Sequence, residues 1–391
     1  MVERVAQFPR GAAVTPEGLE QHLHETFADL RACEPVSWVP ALDAWVVTSR
    51  SLAVEVMRDA ATFTVDDPRF STAQVLGPSM LSLDGPAHGR HRDPFADAFR
   101  LPEVRRTFTS TVTDLAREIV TELQPAGHAE LRRELAGPLA ARVMALALDL
   151  LDADAATLLA WYREIVAAVS AIAGGESGAV SPASAVDALG LAVVRTIDAG
   201  QGVLADAGAA LTADEIVSNT GVLLFGGIET TEGMTTNLFA HLLAEPELWD
   251  AVDAHRALIP NAIEESLRLE PSVVRVDRFA THDTRLGEAN IERGDFVIVM
   301  IAAANRDPSA FADPDRFDIG RENAKQHLTF AQGPHTCLGM HLARLEGNAA
   351  VTAALDLLPR LRQDGAAPRP VATGTVFRKP DRLDVVWDPG R

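Results

Sequence analysis

Cysteine is nearly missing from this chain of 391 residues, which carries only Cys33 and Cys337. Two thiols so far apart give no disulfide framework, and a reducing, cytoplasmic compartment is the simpler expectation. Lysine is as scarce: Lys325 and Lys379 stand among 35 basic residues, the rest being arginine. With so much alanine, that bias suggests high-GC bacterial coding. Positive charge is outweighed throughout, because 55 acidic residues leave a formal net charge of −20. Such a chain repels nucleic acid and anionic lipid, so neither is expected as a partner. Long hydrophobic runs are absent too. Met1 to Arg10 holds no apolar stretch of signal-peptide length, and the most apolar internal segments are interrupted by Arg142, Asp149 and Asp152, so no membrane span is expected. No Pro- or Ser-rich linker divides the chain, no repeat recurs, and the 23 prolines are spread throughout. One continuous domain over 1–391 is the expectation. A hydrophobic content of 47% with 23% charged residues suits a soluble protein with a large core.

What the chain does have is Phe330 to Gly339, which reads Phe-Ala-Gln-Gly-Pro-His-Thr-Cys-Leu-Gly and precedes a long helical pattern. A cysteine at a helix N-terminus meets unpaired backbone N–H groups and the positive end of the helix dipole, and both favour the metal-ligating thiolate. Gly333 and Gly339 would let the backbone approach a flat ligand. A lone cysteine is more often a small core hydrophobe. Here Phe330, Gly333, His335, Cys337 and Gly339 match every fixed position of F-x-x-G-x-H-x-C-x-G, so the chain resembles the cytochrome P450 superfamily of haem-thiolate monooxygenases, in its soluble bacterial form. The resemblance implies a mainly α fold with small β-sheets and a haem b between a long distal helix and the proximal Cys loop. It makes Cys337 the axial iron ligand, and Gly339 and His335 further cofactor contacts. It also implies O₂ and a hydrophobic small organic molecule as substrates, hydroxylated by default, and a monomer supplied with electrons by a separate ferredoxin and ferredoxin reductase.

The local patterns agree with a mainly α fold. Val36 to Thr48 alternates around Pro40-Ala41-Leu42-Asp43, with Trp38 and Trp45 flanking, and predicts a β-hairpin. Apolar spacings of three and four predict helices over 104–123, 136–151, 155–172 and 186–205. Gly174, Gly175, Gly178 and Pro182 interrupt two of these with a loop that could serve as a lid or as a plain connector. Thr212 and Glu215 form a capping box ahead of a helix running to about Ala244, where Glu245-Pro246 stops it. About 30 residues at 1.5 Å rise give a rod of roughly 45 Å. Gly226 and Gly227 lie in its middle, each costing about 1 kcal/mol against Ala, which asks for a packing or functional reason.

Gly226-Gly227-Ile228-Glu229-Thr230 is similar to the [AG]-G-x-[DE]-T motif of the P450 distal helix. The likeness places Gly226 against the haem and makes Glu229 and Thr230 the proton relay that reductive O–O cleavage needs; the alternative is a packing notch beside a solvated Glu. Glu265 and Arg268 at i,i+3 share a helix face ended by Pro271 and match the family's E-x-x-R, completed by Arg316 of Pro314-Asp315-Arg316-Phe317. Their implied role is structural. Haem propionates need cations, and the resemblance offers His88 and Arg92, one helical turn apart, with Arg278 and His335. It draws the substrate lining from Leu81, Val222, Phe225, Gly226, Val274, Val276, Val376 and Phe377, all uncharged. Val371 to Trp387 reads as β. Two rival readings remain: zinc held by His335, Cys337 and His341, although structural zinc sites normally pair ligands on two loops, and a haem protein that senses or carries a ligand without turnover.

Overall fold

A computed structural model describes residues 2–150, 153–173, 182–200 and 202–388. The loop residues Gly174, Gly175 and Gly178, considered above as a lid, lie outside the described residues, as does Asp152. The chain divides into two compact units.

One unit comprises residues 1–67, 264–337 and 372–379 and is built on a five-stranded sheet. The expected hairpin is there: Val36–Val39 pairs antiparallel with Ala44–Val47, Trp38 opposite Trp45, around a 3₁₀ turn over Pro40–Leu42. Ala44–Val47 then runs parallel to Phe296–Met300, which pairs antiparallel with Arg275–Ala280. Successive side chains point to opposite faces, and both faces are covered. Val46, Ile298 and Met300 pack with Leu23, Phe27 and Leu30 of helix Leu23–Cys33. Trp45, Val47, Val297 and Val299 pack with Ala53, Val56 and Met57 of helix Arg50–Arg58. The Trp45 indole donates to Asp295 at 2.8 Å, giving the buried N–H its partner.

The other unit, residues 68–263, 338–371 and 380–391, is mostly helical. Its axis is the 30-residue helix Ala213–Leu242, opened by the Thr212–Glu215 capping box. Every residue from Thr231 to Phe239 is buried, so this half of the helix is enclosed on all sides. Helices Gly137–Ala147, Ala155–Ala173, Ala183–Asp198 and Met340–Leu357 pack around it. Two of the expected helices are split. The run 104–123 breaks at Phe108 into Leu101–Thr107 and Thr109–Leu123, and 186–205 breaks between Ala183–Asp198 and Val203–Ala207 around Gly200 and Gly202. An 18-residue window, Ala155–Ile172, is long and apolar enough by length and composition to cross a membrane. It carries Arg163 and Glu164 side by side, and its Leu158, Leu159 and Tyr162 join an apolar cluster of this unit. Only 28% of the window is buried, and the buried positions recur every three or four residues, so one face of this helix packs on the cluster and the other is exposed. The C-terminal β expectation holds: Asp384–Val386 of this unit lies between His128–Glu130 and Arg362–Gln363, while Ala372–Thr373, which belongs to the sheet unit, pairs with Lys379–Pro380.

Candidate active site

The Cys loop is a coiled segment pinned by its own backbone. Cys337 N–H donates to the Phe330 carbonyl at 2.8 Å, and Thr336 donates to the Gly333 carbonyl through both N–H and hydroxyl. Cys337 is exposed, is not in a disulfide, and stands three residues before helix Met340–Leu357, whose N-cap is Gly339. Leu338 and the N-cap Gly339 separate Cys337 from the first helical residue. Gly333 needs correcting. At φ +76° it is left-handed, and an added Cβ would fall 2.5 Å from the Met57 carbonyl oxygen and 2.9 Å from Arg58 Cα, so its bareness serves packing on helix Arg50–Arg58. At Gly339 an added Cβ would meet no atom within 4 Å.

Behind the loop lies the E-x-x-R pair. Glu265 and Arg268, both fully buried, join through two hydrogen bonds of 2.7 and 2.8 Å. Arg268 also donates to the carbonyls of Asn305, Pro314 and Arg316. Asn305 in turn accepts from Leu328 N–H and donates to Thr329 Oγ1, both just ahead of the Cys loop. The third member is not Arg316. That side chain is exposed and only its carbonyl takes part, whereas the buried Arg321 donates to Glu265 at 2.9 Å and to the carbonyls of Ala312, Asp313 and Arg316. Two arginines five residues apart in one loop offer no spacing signal to choose between them. The tertiary hydrogen bonds do.

On the long helix the two adjacent glycines do different things. A Cβ at Gly226 would meet nothing within 4 Å, but one at Gly227 would strike Met144 Sδ at 2.2 Å. Gly226 is thus an open notch, and Gly227 is the seat of helix Gly137–Ala147. One turn on, Thr230 Oγ1 donates to the Gly226 carbonyl at 2.5 Å. Glu229 is buried and accepts from the hydroxyl of Tyr162, which corrects the alternative of a solvated Glu. Tyr162 was not foreseen: the apolar period of its helix marks it as core, and nothing in the spacing points to a carboxylate 67 residues away.

The other candidates fall as follows. His88 is buried and Arg92 half-buried on helix Gly85–Ala96. Val222 and Phe225 are buried on the long helix, and Leu81 is half-buried next to Met80, whose N–H donates to Asn219. Asn219 also meets the His91 ring at 3.0 Å, a second arrangement that spacing did not announce. In the sheet unit Arg278 is buried and donates to the Asp277 carbonyl, and His335 is half-buried. Val276, Val376 and Phe377 are half-buried, with Phe377 bridged to Val273. Val274 is corrected. It is fully buried in the cluster with Ile298 and Met300, so it is core and lines nothing. Among the described residues no three His, Cys, Asp or Glu side chains gather to hold a metal, which leaves the zinc reading of His335, Cys337 and His341 without a site.

Comparison with known proteins decides the family. The sequence model of cytochrome P450 matches residues 195–382. The 20-oxo-5-O-mycaminosyltylactone 23-monooxygenase of Streptomyces fradiae is 30% identical, over 93% of this chain and 89% of its own. The chain belongs to the cytochrome P450 family. Nocardicin C N-oxygenase of Nocardia uniformis subsp. tsuyamanensis is 32% identical over 93% of this chain and 96% of its own. Among solved structures CalO2 matches with a TM-score of 0.86 at 28% identity, covering 95% of this chain and 97% of that one. P450BioI in complex with hexadec-9Z-enoic acid ligated acyl carrier protein matches with a TM-score of 0.85 at 27% identity, covering 95% and 100%.

This P450 is therefore an oxidoreductase whose cofactor is haem, and it uses O₂, small-molecule substrates and redox partner proteins. The residues present offer what that group needs: an exposed thiol at Cys337 and bare Cα positions at Gly226 and Gly339.

Proposed function

We propose that this P450 inserts one atom of O₂ into an apolar small organic molecule, as a single-domain, monomeric cytoplasmic enzyme that takes electrons from a separate ferredoxin and its reductase. Cys337 would hold the haem iron through its thiolate, and His88, Arg92, Arg278 and His335 would bind the propionates. Haem supplies the activation of dioxygen when bound. The protein's own part is to bring protons and exclude water. Supporting this reading is the middle of the long helix, where an open notch at Gly226 has the Thr230 hydroxyl bonded to its carbonyl and the buried Glu229 directly precedes Thr230 in the chain. A ligand sensor needs no such acid beside a hydroxyl; a monooxygenase must deliver two protons for each O–O bond it breaks.

Leu81, Val222, Phe225, Val276, Val376 and Phe377 give the substrate side no charge. The relatives that act on a mycaminosyltylactone and on nocardicin C favour a role in tailoring secondary metabolites. Compounds that displace water from the ferric haem shift its Soret band and identify ligands to test. Turnover of such a ligand under ¹⁸O₂ with a surrogate ferredoxin system should place one ¹⁸O in the product. Thr230→Ala should keep haem and yield less product per NADPH. A product free of ¹⁸O, or unchanged coupling in Thr230→Ala, would overturn the reaction class or the relay respectively.

A further inference from the structure

Tyr162 is the only tyrosine in the chain. It lies mid-way along helix Ala155–Ala173, 5% exposed, in an apolar cluster with Leu158, Leu189, Val193, Leu224 and Ile228. Phenylalanine would fill this space equally well, so packing does not account for the hydroxyl. A phenol buried among aliphatic side chains requires a polar partner, and this one donates to Oε2 of Glu229, itself 5% exposed. Glu229 directly precedes Thr230, whose hydroxyl is bonded to the Gly226 carbonyl. We propose that Tyr162 is a positioning residue for oxygen activation, its hydroxyl fixing the Glu229 carboxyl in the orientation from which protons are passed on. This rests on the reading of Glu229 as a relay and extends it to a second helix. A Glu side chain has three rotatable bonds, and a hydrogen bond to one carboxyl oxygen restricts them. Misplacing a proton-transferring group by about 1 Å costs up to roughly 100-fold in rate, so an atom that does no chemistry can still set turnover.

The test uses the haem-loaded protein. Labelling with [ζ-¹³C]tyrosine gives a single resonance in the diamagnetic ferrous–CO form, because no second tyrosine exists. Glu229→Gln should move that resonance; an unmoved resonance overturns the contact. For function, NADPH oxidation is followed with a surrogate ferredoxin and reductase in H₂O and in D₂O, without added substrate. Four electrons and four protons then reduce each O₂ to two waters, and two of each reduce it to hydrogen peroxide. Tyr162→Phe should retain haem content, CO band and melting temperature, slow turnover roughly tenfold and enlarge the solvent isotope effect. Added to Glu229→Gln it should change neither quantity further. An equal effect in both backgrounds, or none in the wild type, overturns the proposal. If Glu229→Gln moves the resonance but leaves rate and isotope effect alone, the relay reading itself falls, and Tyr162 with it loses its catalytic meaning while keeping its contact.

Discussion

A thiol ligates haem iron as the thiolate, and Cys337 stands just ahead of helix Met340–Leu357, where backbone N–H groups lack intrahelical acceptors. Cys33 instead closes helix Leu23–Cys33, away from any motif. The reduced protein with CO should show the red-shifted Soret band of P450s, Cys33→Ala should keep it, and Cys337→Ala should abolish it; a band surviving in Cys337→Ala would sink the assignment. Cys337 was legible because five fixed positions of one short run are local in sequence. The arginine that completes the Glu265–Arg268 cluster was not, since that choice is made by the carbonyls of Ala312, Asp313 and Arg316, which accept from Arg321 beside those of Asn305, Pro314 and Arg316 that accept from Arg268. Removing one partner of a buried ion pair leaves an uncompensated charge and costs about 3–5 kcal/mol, whereas a surface substitution stays within about 0.5 kcal/mol. Arg321→Gln should accordingly lower the melting temperature by many degrees, and Arg316→Gln should barely move it. Equal losses would restore Arg316 to the cluster.

Among the elements, the long helix was readable from its capping box, its apolar spacing and the Glu-Pro stop, because each of these signals is local. The division of labour between its two glycines was not. Ala at position 227 gains about 1 kcal/mol of helix propensity, but its methyl would overlap Met144, 3% exposed and hemmed in by the core. Overpacking of this kind costs about 1–3 kcal/mol. Gly227→Ala should therefore destabilise the wild type yet stabilise a Met144→Ala background, where the obstacle is gone, giving a coupling of about 1–3 kcal/mol in a double-mutant cycle by denaturant unfolding. Additive effects would show that the two helices do not meet at this glycine. The splits at Phe108 and Gly200 escaped periodicity for a related reason: apolar spacing continues across a short break, while the turn residues that make it carry no period of their own.

At the scale of the whole molecule, charge governs both stability and encounter. In the sheet unit Glu270 meets His24 at 2.9 Å and Arg378 at 3.0 Å, with Arg306 at 3.7 Å, so that one carboxylate ties three distant stretches of chain. Burial alone would push Glu270 up, but the hydrogen bond from His24 and the charges of His24, Arg378 and Arg306 outweigh it and hold its pKa at about 2 against an ordinary 4.5. A carboxyl depressed in the folded state contributes stability above its unfolded pKa and loses it as pH falls through the folded one. The contribution is roughly 3 kcal/mol at neutral pH, and it should fade between pH 4.5 and about 2. Glu270→Gln should flatten stability against pH in that window, and curves that stay parallel to wild type would exclude the linkage. Encounter with an electron donor poses the opposite problem, because an acidic ferredoxin is repelled by a net charge of −20. Local charge differs in sign. On helix Met340–Leu357, burial and then the charges of Arg344 and Arg105 hold His341 below its ordinary value, which marks a positive field just after the Cys loop. A Debye length of about 8 Å at physiological salt screens remote carboxylates and spares charges at the contact. Arg344→Glu should thus slow reduction of the haem by an acidic ferredoxin in stopped-flow, leave the affinity of a Soret-shifting ligand unchanged, and weaken the salt dependence; reduction indifferent to both salt and charge reversal would place the donor on another face.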